Sequence, residues 1–227
     1  MQSYTLLFFA DSDIDRRMKR FVRDHLHFKN DLWCIAHRVI RAVRRDAAAA
    51  MKSSPTTSFS TMHIRHGDFQ FKVVRYTAQD IVDSVSTDIF TTPGELIYVA
   101  TDERNMSFFE PLQRHYKLKF LEDYMDECGL RSLPSNLLGM IDTIVASRGV
   151  RFVGTWFSTF SGYIMRLRGY YSAAVAANRS FYYYEKKKHA MRSLAPPSDP
   201  YYTREWPTAW ADIDDNHHNP ASLSPEP

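Results

Sequence analysis

The spacing of apolar residues divides the chain into a helical beginning and an alternating middle. Apolar residues recur at helical spacing from Ile14 to Leu26, after the capping residue Asp11, and again from Leu32 to Val43. This pattern predicts two helices, the second ending near Arg45. The stretch from Asp46 to Thr57 contains an alanine run, two serines and a proline, and it is predicted to be a loop or linker.

From residue 58 onward, short apolar runs alternate with helical patterns. Strands are predicted at 58–64, 96–100, 118–121 and 150–154, and helices at 78–90, 105–116, 135–147 and 159–171. Thr77 and Asp80 stand in the positions of a capping box at the first of these helices. Parallel strands need crossover connections, so alternating strands and helices predict a parallel sheet. The predicted fold class is α/β, with a Rossmann-like sheet flanked by helices.

The character of the chain changes after Tyr171. The run from Tyr182 to Lys188 mixes aromatic and basic residues, and it is predicted to be a solvated face or the end of a packing segment. From Pro196 to Pro227 the chain is rich in proline, aspartate and serine. Such a composition favours an irregular or disordered tail.

Bulk properties exclude some classes of protein. A chain of 227 residues with 44% hydrophobic and 14% aromatic residues is long enough to bury one full core. No apolar stretch reaches 18 residues, so no transmembrane segment is predicted. The apolar run at residues 1–10 lacks a preceding positive charge, which favours a strand over a signal peptide. Cys34 lies beside Trp33 and Ile35 on a helical pattern, and a buried free thiol is favoured over a disulfide.

A basic segment raises the question of nucleic-acid binding. Between Arg16 and Arg45 there are ten Lys or Arg residues against two Asp residues. Two basic helices could contact phosphates, but these residues fall mainly opposite the apolar stripe and no base-reading motif accompanies them. The segment is therefore interpreted as a solvated face, or as a face that docks an acidic acceptor protein, and no nucleic-acid partner is predicted.

The stretch from Arg151 to Arg168 predicts a strand, a hydroxyl-rich turn and a helix. Ser158 or Thr159 is a suitable N-cap, because its side-chain oxygen can accept a backbone N–H of the first turn. A helix start of this kind presents several N–H groups and the positive end of the helix dipole, which suits a phosphate. The alternative is an ordinary capped helix.

A second candidate segment is His63-Ile-Arg65-His-Gly67-Asp68, which follows a predicted strand. Arg65 would lie near the carboxyl end of that strand, where ligands bind in open α/β sheets. Its guanidinium can make forked hydrogen bonds to phosphate oxygens, so Arg65 is the natural clamp for a diphosphate. The alternative is a structural arginine that pairs with Asp68.

Taken together, these segments resemble the GDP-fucose protein O-fucosyltransferase family, from roughly Tyr4 to Tyr171. The resemblance is carried by His63-x-Arg65-x-Gly67-Asp68-Phe69, Val99-Ala-Thr-Asp102, and Phe152-Val-Gly-Thr155 followed by Ser158-Thr-Phe-Ser161. Asp142 precedes Ser158 by 16 positions (158 − 142), which matches the spacing of the family's guanine-contacting Asp. Thr143 and Ile144 depart from the Gln-Trp pair that human-type members carry after this Asp.

The resemblance implies an architecture. Residues 56–190 would form the GDP-sugar-binding, Rossmann-like domain, the C-terminal half of a GT-B glycosyltransferase. Residues 1–50 would be the last helices of an otherwise missing N-terminal domain, and residues 191–227 an irregular or disordered tail. The sequons at Asn105 and Asn178 permit the ER or Golgi lumen that the family implies, without establishing it.

The resemblance also implies a reaction, the inverting transfer of fucose from GDP-fucose to a Ser or Thr hydroxyl of a protein. Arg65 would stabilise the leaving diphosphate, and His63 would lie near the diphosphate or the fucose. The remaining donor-binding residues are Asp142 for guanine, Phe160 for the nucleoside, and Ser158 and Thr159 for the β-phosphate.

No metal or other cofactor is expected, since the family is metal-independent. Asp102-Glu103 resembles a metal-binding acidic pair only weakly. His217-His218 provides too few ligands for a site.

One component of the family pattern is missing. In protein-modifying members, the acidic side chain that can take the proton of the acceptor hydroxyl lies in the N-terminal domain. It lies within a Gly- and Pro-rich segment before a Glu, and no such segment precedes Arg65. We therefore expect either a truncated transferase or a non-catalytic remnant that binds a GDP-sugar or a protein. A related transferase with a different nucleotide-sugar donor is a further alternative.

Overall fold

Six strands form one sheet at the centre of the computed structural model, which describes residues 11–50, 57–68, 72, 75–85, 89–156, 158–171, 179–185 and 188–190. The strands lie in the order β3-β2-β1-β4-β5-β6. Their bounds are Ser60–Ile64 (β1), Leu96–Thr101 (β2), Lys117–Lys119 (β3), Phe152–Thr155 (β4), Ser180–Glu185 (β5) and Lys188–Ala190 (β6). The first five are parallel and β6 is antiparallel to β5, which confirms the predicted Rossmann-like α/β class.

The strand order places a topological switch point between β1 and β4. These two strands are hydrogen-bonded neighbours, but the chain leaves β1 toward β2 and leaves β4 toward β5, on the other side. The crossovers that follow them therefore diverge, and a crevice forms beyond their carboxyl ends. Open α/β sheets bind their ligands at such a crevice.

Helices cover both faces of the sheet. Their bounds are Ser12–His25 (α1), Asn30–Ala50 (α2), Ala78–Val85 (α3), Glu110–Gln113 (α4), Ser135–Ala146 (α5) and Thr159–Tyr171 (α6). Alternate residues of β2 face opposite sides, so Tyr98 packs in the cluster that contains α2 and α5, whereas Val99 packs against α3. Phe59 joins the same cluster as Tyr98, so α2 shares one hydrophobic core with the sheet.

The predicted boundaries hold for most elements, and α2 is an exception. It continues five residues beyond Arg45, through Ala50, so the loop predicted from Asp46 is wrong for the first part of its range. Alanine has the highest helix propensity, and Ala47 is buried against the core, so both local preference and packing extend the helix. Residues 51–56 lie outside the described residues.

Two predicted helices are shorter in the structure. The segment predicted at 105–116 forms a 3-10 helix over Met106–Phe109 and then the single turn of α4. The Asn105 side chain caps the 3-10 helix, because it accepts the Ser107 N–H at 3.2 Å. The helix predicted at 78–90 begins with the expected reciprocal bonds between Thr77 and Asp80 but ends at Val85. The predicted strand at 118–121 likewise ends early, at Lys119.

The aromatic run after Tyr171 contains a strand that the sequence pattern did not predict. Tyr182 is 2% exposed in β5 and belongs to a hydrophobic cluster, so this part of the run is a packing segment, the second of the two predicted alternatives, and not a solvated face. Arg168, 4% exposed, anchors this edge of the sheet: its guanidinium donates to Ser180 Oγ at 2.7 Å and to the carbonyls of Ser147, Gly149 and Arg179. The predicted strand at residues 1–10 and the predicted tail lie outside the described residues.

The exposure of residues on α2 depends on which side of the helix they occupy. Cys34 and Cys128 are free, but Cys34 is exposed, since it lies off the buried stripe of α2, and the prediction of a buried thiol was wrong. Arg38, Arg41 and Arg44 of the basic segment are exposed on α2. None of the described helices combines the length and the apolar character that crossing a membrane requires.

Candidate functional site

Thr155 connects the ends of β1 and β4 at the switch point. Its hydroxyl accepts the backbone N–H of Arg65 at 2.9 Å and donates to the carbonyl of His63 at 3.0 Å. These bonds continue the pairing of β1 and β4 past the last ladder residues. They bring the two predicted motifs together at the carboxyl edge of the sheet, on neighbouring strands.

Asp102, the acidic residue just after β2, organises the loop that carries Arg65. One carboxylate oxygen accepts the N–H of His66 at 2.8 Å, and the other accepts the N–H of Gly67 at 3.1 Å and pairs with the Arg65 guanidinium. The expected alternative partner, Asp68, contacts Arg65 Nη2 through its backbone carbonyl, at 3.2 Å. The Arg65 side chain remains 36% exposed, so a ligand can reach it.

Gly67 is required by this arrangement. A Cβ at this position would overlap the Asp102 carboxylate. The Gly in the motif therefore allows the carboxylate to approach the backbone of the loop closely.

His63 lies deeper, beneath the crevice. It is 3% exposed, its Nδ1 is 2.7 Å from Ser161 Oγ, and its ring lies 4.6 Å from the ring of Phe160. Burial lowers the pKa of His63 to about 3, against the opposing effect of Asp102, and the charge of Arg65 lowers it further. His63 is therefore neutral at physiological pH and contributes a hydrogen-bonding ring rather than a positive charge.

The amino end of α6 faces the same crevice. The helix begins at Thr159, and the Ser158 carbonyl accepts the Gly162 N–H at 3.0 Å, which puts Ser158 in the cap position. Gly154 lets this helix approach β4, because a Cβ there would lie 2.7 Å from Ser161 Oγ. The first-turn N–H groups of an α-helix have no acceptor within the helix, and here that turn adjoins β1, through Ser161 and His63, just before Arg65.

Asp142 lies apart from the other predicted residues, on α5. Its carboxylate accepts the Tyr98 hydroxyl at 2.6 Å. Burial raises the pKa of Asp142 to about 7, although the Tyr98 hydroxyl opposes this shift. Phe160 lies near Gly139, which is one helical turn before Asp142 on α5.

Sequence reasoning did not assign a role to His66. Its Nδ1 contacts the Glu103 carboxylate, and its ring lies 4.1 Å from the ring of Phe108. Two side-chain pairs therefore connect the ends of β1 and β2. Arg65 pairs with Asp102, and the next residue of each loop, His66 and Glu103, form the second pair. The signal in the sequence was a His and a Glu just beyond two predicted neighbouring strands.

The crevice combines a partly exposed guanidinium with the amino end of a helix, and both favour an anion. A diphosphate could accept from Arg65 and from the first turn of α6 together. The carboxylates of Asp102 and Glu103, considered above as metal ligands, accept hydrogen bonds from protein groups.

The family model described as GDP-fucose protein O-fucosyltransferase matches residues 2–171. A search of curated proteins finds no match.

Proposed function

Since the chain belongs to the GDP-fucose protein O-fucosyltransferase family, we propose that the crevice between β1 and β4 binds GDP-fucose and that fucose is transferred from it to a protein Ser or Thr hydroxyl. The observation that carries the proposal is the Thr155 bridge, because it joins the backbone of Arg65 to β4, the strand that leads into α6. In this proposal the described sheet is the donor-binding half of a GT-B transferase.

The chemistry of the leaving group defines the role of Arg65. When the bond between the sugar C1 and the β-phosphate oxygen breaks, negative charge builds on the diphosphate. In this proposal Arg65 and the first turn of α6, behind Ser158 and Thr159, provide donors for that charge, and Asp102 holds the Arg65 guanidinium in position. These groups could replace a divalent metal as the source of electrostatic stabilisation.

The base and nucleoside would lie on the α5 side of the crevice. Phe160 offers a ring for packing, and its contact with His63 supports its position. The Asp142 carboxylate can accept two guanine donors, N1–H and the exocyclic amine, whereas uracil presents no such pair. To do so Asp142 must be ionised and must share or release the Tyr98 hydroxyl.

Calorimetry with GDP and UDP in the presence of a chelator tests this proposal. We expect GDP to bind more tightly than UDP, without added metal, and the preference to shrink in Asp142→Asn. Asp83→Asn is a matched control, since Asp83 is exposed on α3, on the other face of the sheet.

Equal affinities for the two nucleotides would remove the guanine assignment. GDP binding that is abolished by the chelator and restored by Mn²⁺ would return Asp102 and Glu103 to consideration as metal ligands. The absence of any GDP binding would overturn the proposed donor site.

A further inference from the structure

His66 and Glu103 form a side-chain pair at the edge of the candidate donor site. His66 directly follows Arg65, the proposed diphosphate clamp, and its Nδ1 contacts Glu103 Oε2. The other Glu103 oxygen accepts the Asn105 N–H at 2.7 Å. The carboxylate is thus held on both oxygens, in the manner of an orienting acid.

The charge of Glu103 determines which ring nitrogen of His66 carries the proton. Hydrogen bonds from the Asn105 backbone and the His66 ring hold the pKa of Glu103 below its usual range, so the carboxylate is ionised. An ionised carboxylate only accepts hydrogen bonds, so His66 Nδ1 carries the proton. In the neutral ring, Nε2 then has the lone pair, which is the form of a general base.

The imidazole is also fixed in position. Phe108 packs against its ring, and the His66 side chain remains 20% exposed. No hydrogen bond joins Nε2 to any residue within the described ranges. The loop backbone is already held by Asp102, so holding the loop does not explain the second pair.

We propose that His66 is the general base of this site and that Glu103 is its positioning residue, an assignment that rests on the proposed transfer from GDP-fucose. The proton of the attacking hydroxyl moves to His66 Nε2 as its oxygen forms a bond to C1 of the sugar. The bond from C1 to the β-phosphate oxygen breaks, and its electron pair leaves with GDP. In this reaction His66 acts as the proton acceptor for the attacking hydroxyl, and Glu103 holds its ring in the tautomer that can accept.

Hydrolysis of GDP-fucose tests this role without an identified protein acceptor, because water then provides the attacking hydroxyl. The assay measures release of GDP by the full chain, and calorimetry measures GDP affinity in parallel. We expect His66→Ala to lower the hydrolysis rate about 100-fold or more, as the loss of a general base does, with GDP affinity unchanged. Added imidazole should restore part of the rate, a response that a purely structural residue would not give.

Three further variants sharpen the test. His66→Gln preserves most of the side-chain volume and should be as inactive as His66→Ala, which separates loss of the base from loss of packing. Glu103→Gln should lower the turnover number and leave KM unchanged. His37→Ala is the matched control, because His37 is exposed on α2.

The possible failures are distinguishable. If His66→Ala hydrolyses GDP-fucose at the wild-type rate, or if imidazole restores nothing, His66 is not the base. A wild-type chain that binds GDP but hydrolyses no GDP-fucose also overturns the assignment. If the chain does not bind GDP, the proposed function itself fails, and the assignment of His66 fails with it.

Discussion

The hydroxyl of Thr155 lies 2.9 Å from the backbone nitrogen of Arg65, and this contact ties the start of one candidate motif to the strand that leads into the other. Thr155 is fully buried, so its two hydrogen bonds are shielded from water. The position of the Arg65 side chain therefore depends on a residue that need not contact the ligand.

Replacing Thr155 with Val removes both bonds and preserves the shape of the side chain. The Arg65 N–H and the His63 carbonyl lose their partner, and an unsatisfied buried group costs about 1–3 kcal/mol. We expect the free energy of unfolding, measured by urea denaturation, to fall by this amount and GDP affinity to fall with it. Thr91→Val, at an exposed position, should change neither quantity, and equal effects of the two substitutions would contradict the bridging role.

Arg65→Lys should weaken GDP binding. Lysine keeps the charge but cannot reach Asp102 and a phosphate through one rigid fork, and charge-assisted bonds of this kind contribute about 1.5–3 kcal/mol. Calorimetry should therefore show a loss of affinity of about 10-fold or more. Arg41→Lys and Arg44→Lys, on the exposed face of α2, should bind GDP as the wild type does. A large loss at either control would move the phosphate site to the basic segment.

Gly67→Ala should disturb the site through Asp102. The added methyl group would overlap the Asp102 carboxylate, which must then release the loop or the Arg65 guanidinium. We expect GDP affinity to fall while circular dichroism shows an intact fold. At Gly139 an added Cβ would find its nearest neighbour, Phe160, at 3.9 Å, an ordinary contact. Gly139→Ala should therefore retain binding, and a similar loss at both glycines would count against this explanation.

His63 predicts a pH dependence of stability. In the folded protein its pKa is about 3, whereas an unfolded histidine titrates near its ordinary value of 6.5. Between these values the unfolded chain binds the extra proton, so the free energy of unfolding should fall as pH decreases from about 6.5 toward 3. His63→Gln should give a flatter profile in urea denaturation across this range. His37→Gln, at an exposed position, should follow the wild type, and parallel profiles for His63→Gln and the wild type would refute the prediction.

Local patterns were enough to predict the α/β class. They also predicted that the motifs containing Arg65 and Ser158 lie at the same edge of the sheet. Arg65 and Ser158 each follow a short apolar run, and the carboxyl ends of parallel strands share one edge of the sheet. Local propensity also predicted α6 to its observed bounds. It missed the end of α2, where the alanine run was read as part of a linker although its composition favours a helix.

Contacts between distant positions were not predictable in this way. The pairing of His66 with Glu103 depends on the register of β1 and β2, in which Ile64 lies opposite Thr101. The contact of Tyr98 with Asp142 depends on which face of β2 packs against α5. The sequence pattern did not predict β5, because its aromatic run lacks the alternation of apolar and polar residues that marks a half-buried strand.

The anchoring of β5 by Arg168 has a consequence for preparing the protein. The family match ends at Tyr171, yet the backbone of β5 pairs with β4 beyond that point. Two of the four acceptors around Arg168, Ser180 Oγ and the Arg179 carbonyl, also lie beyond it. A shortened polypeptide that stops at Tyr171 would leave β4 as an open edge of the sheet. The buried guanidinium of Arg168 would also lose two of its hydrogen-bond acceptors. Open edges recruit other chains, so such a truncation should aggregate. An expression boundary beyond Ala190 keeps both the edge and the cation covered.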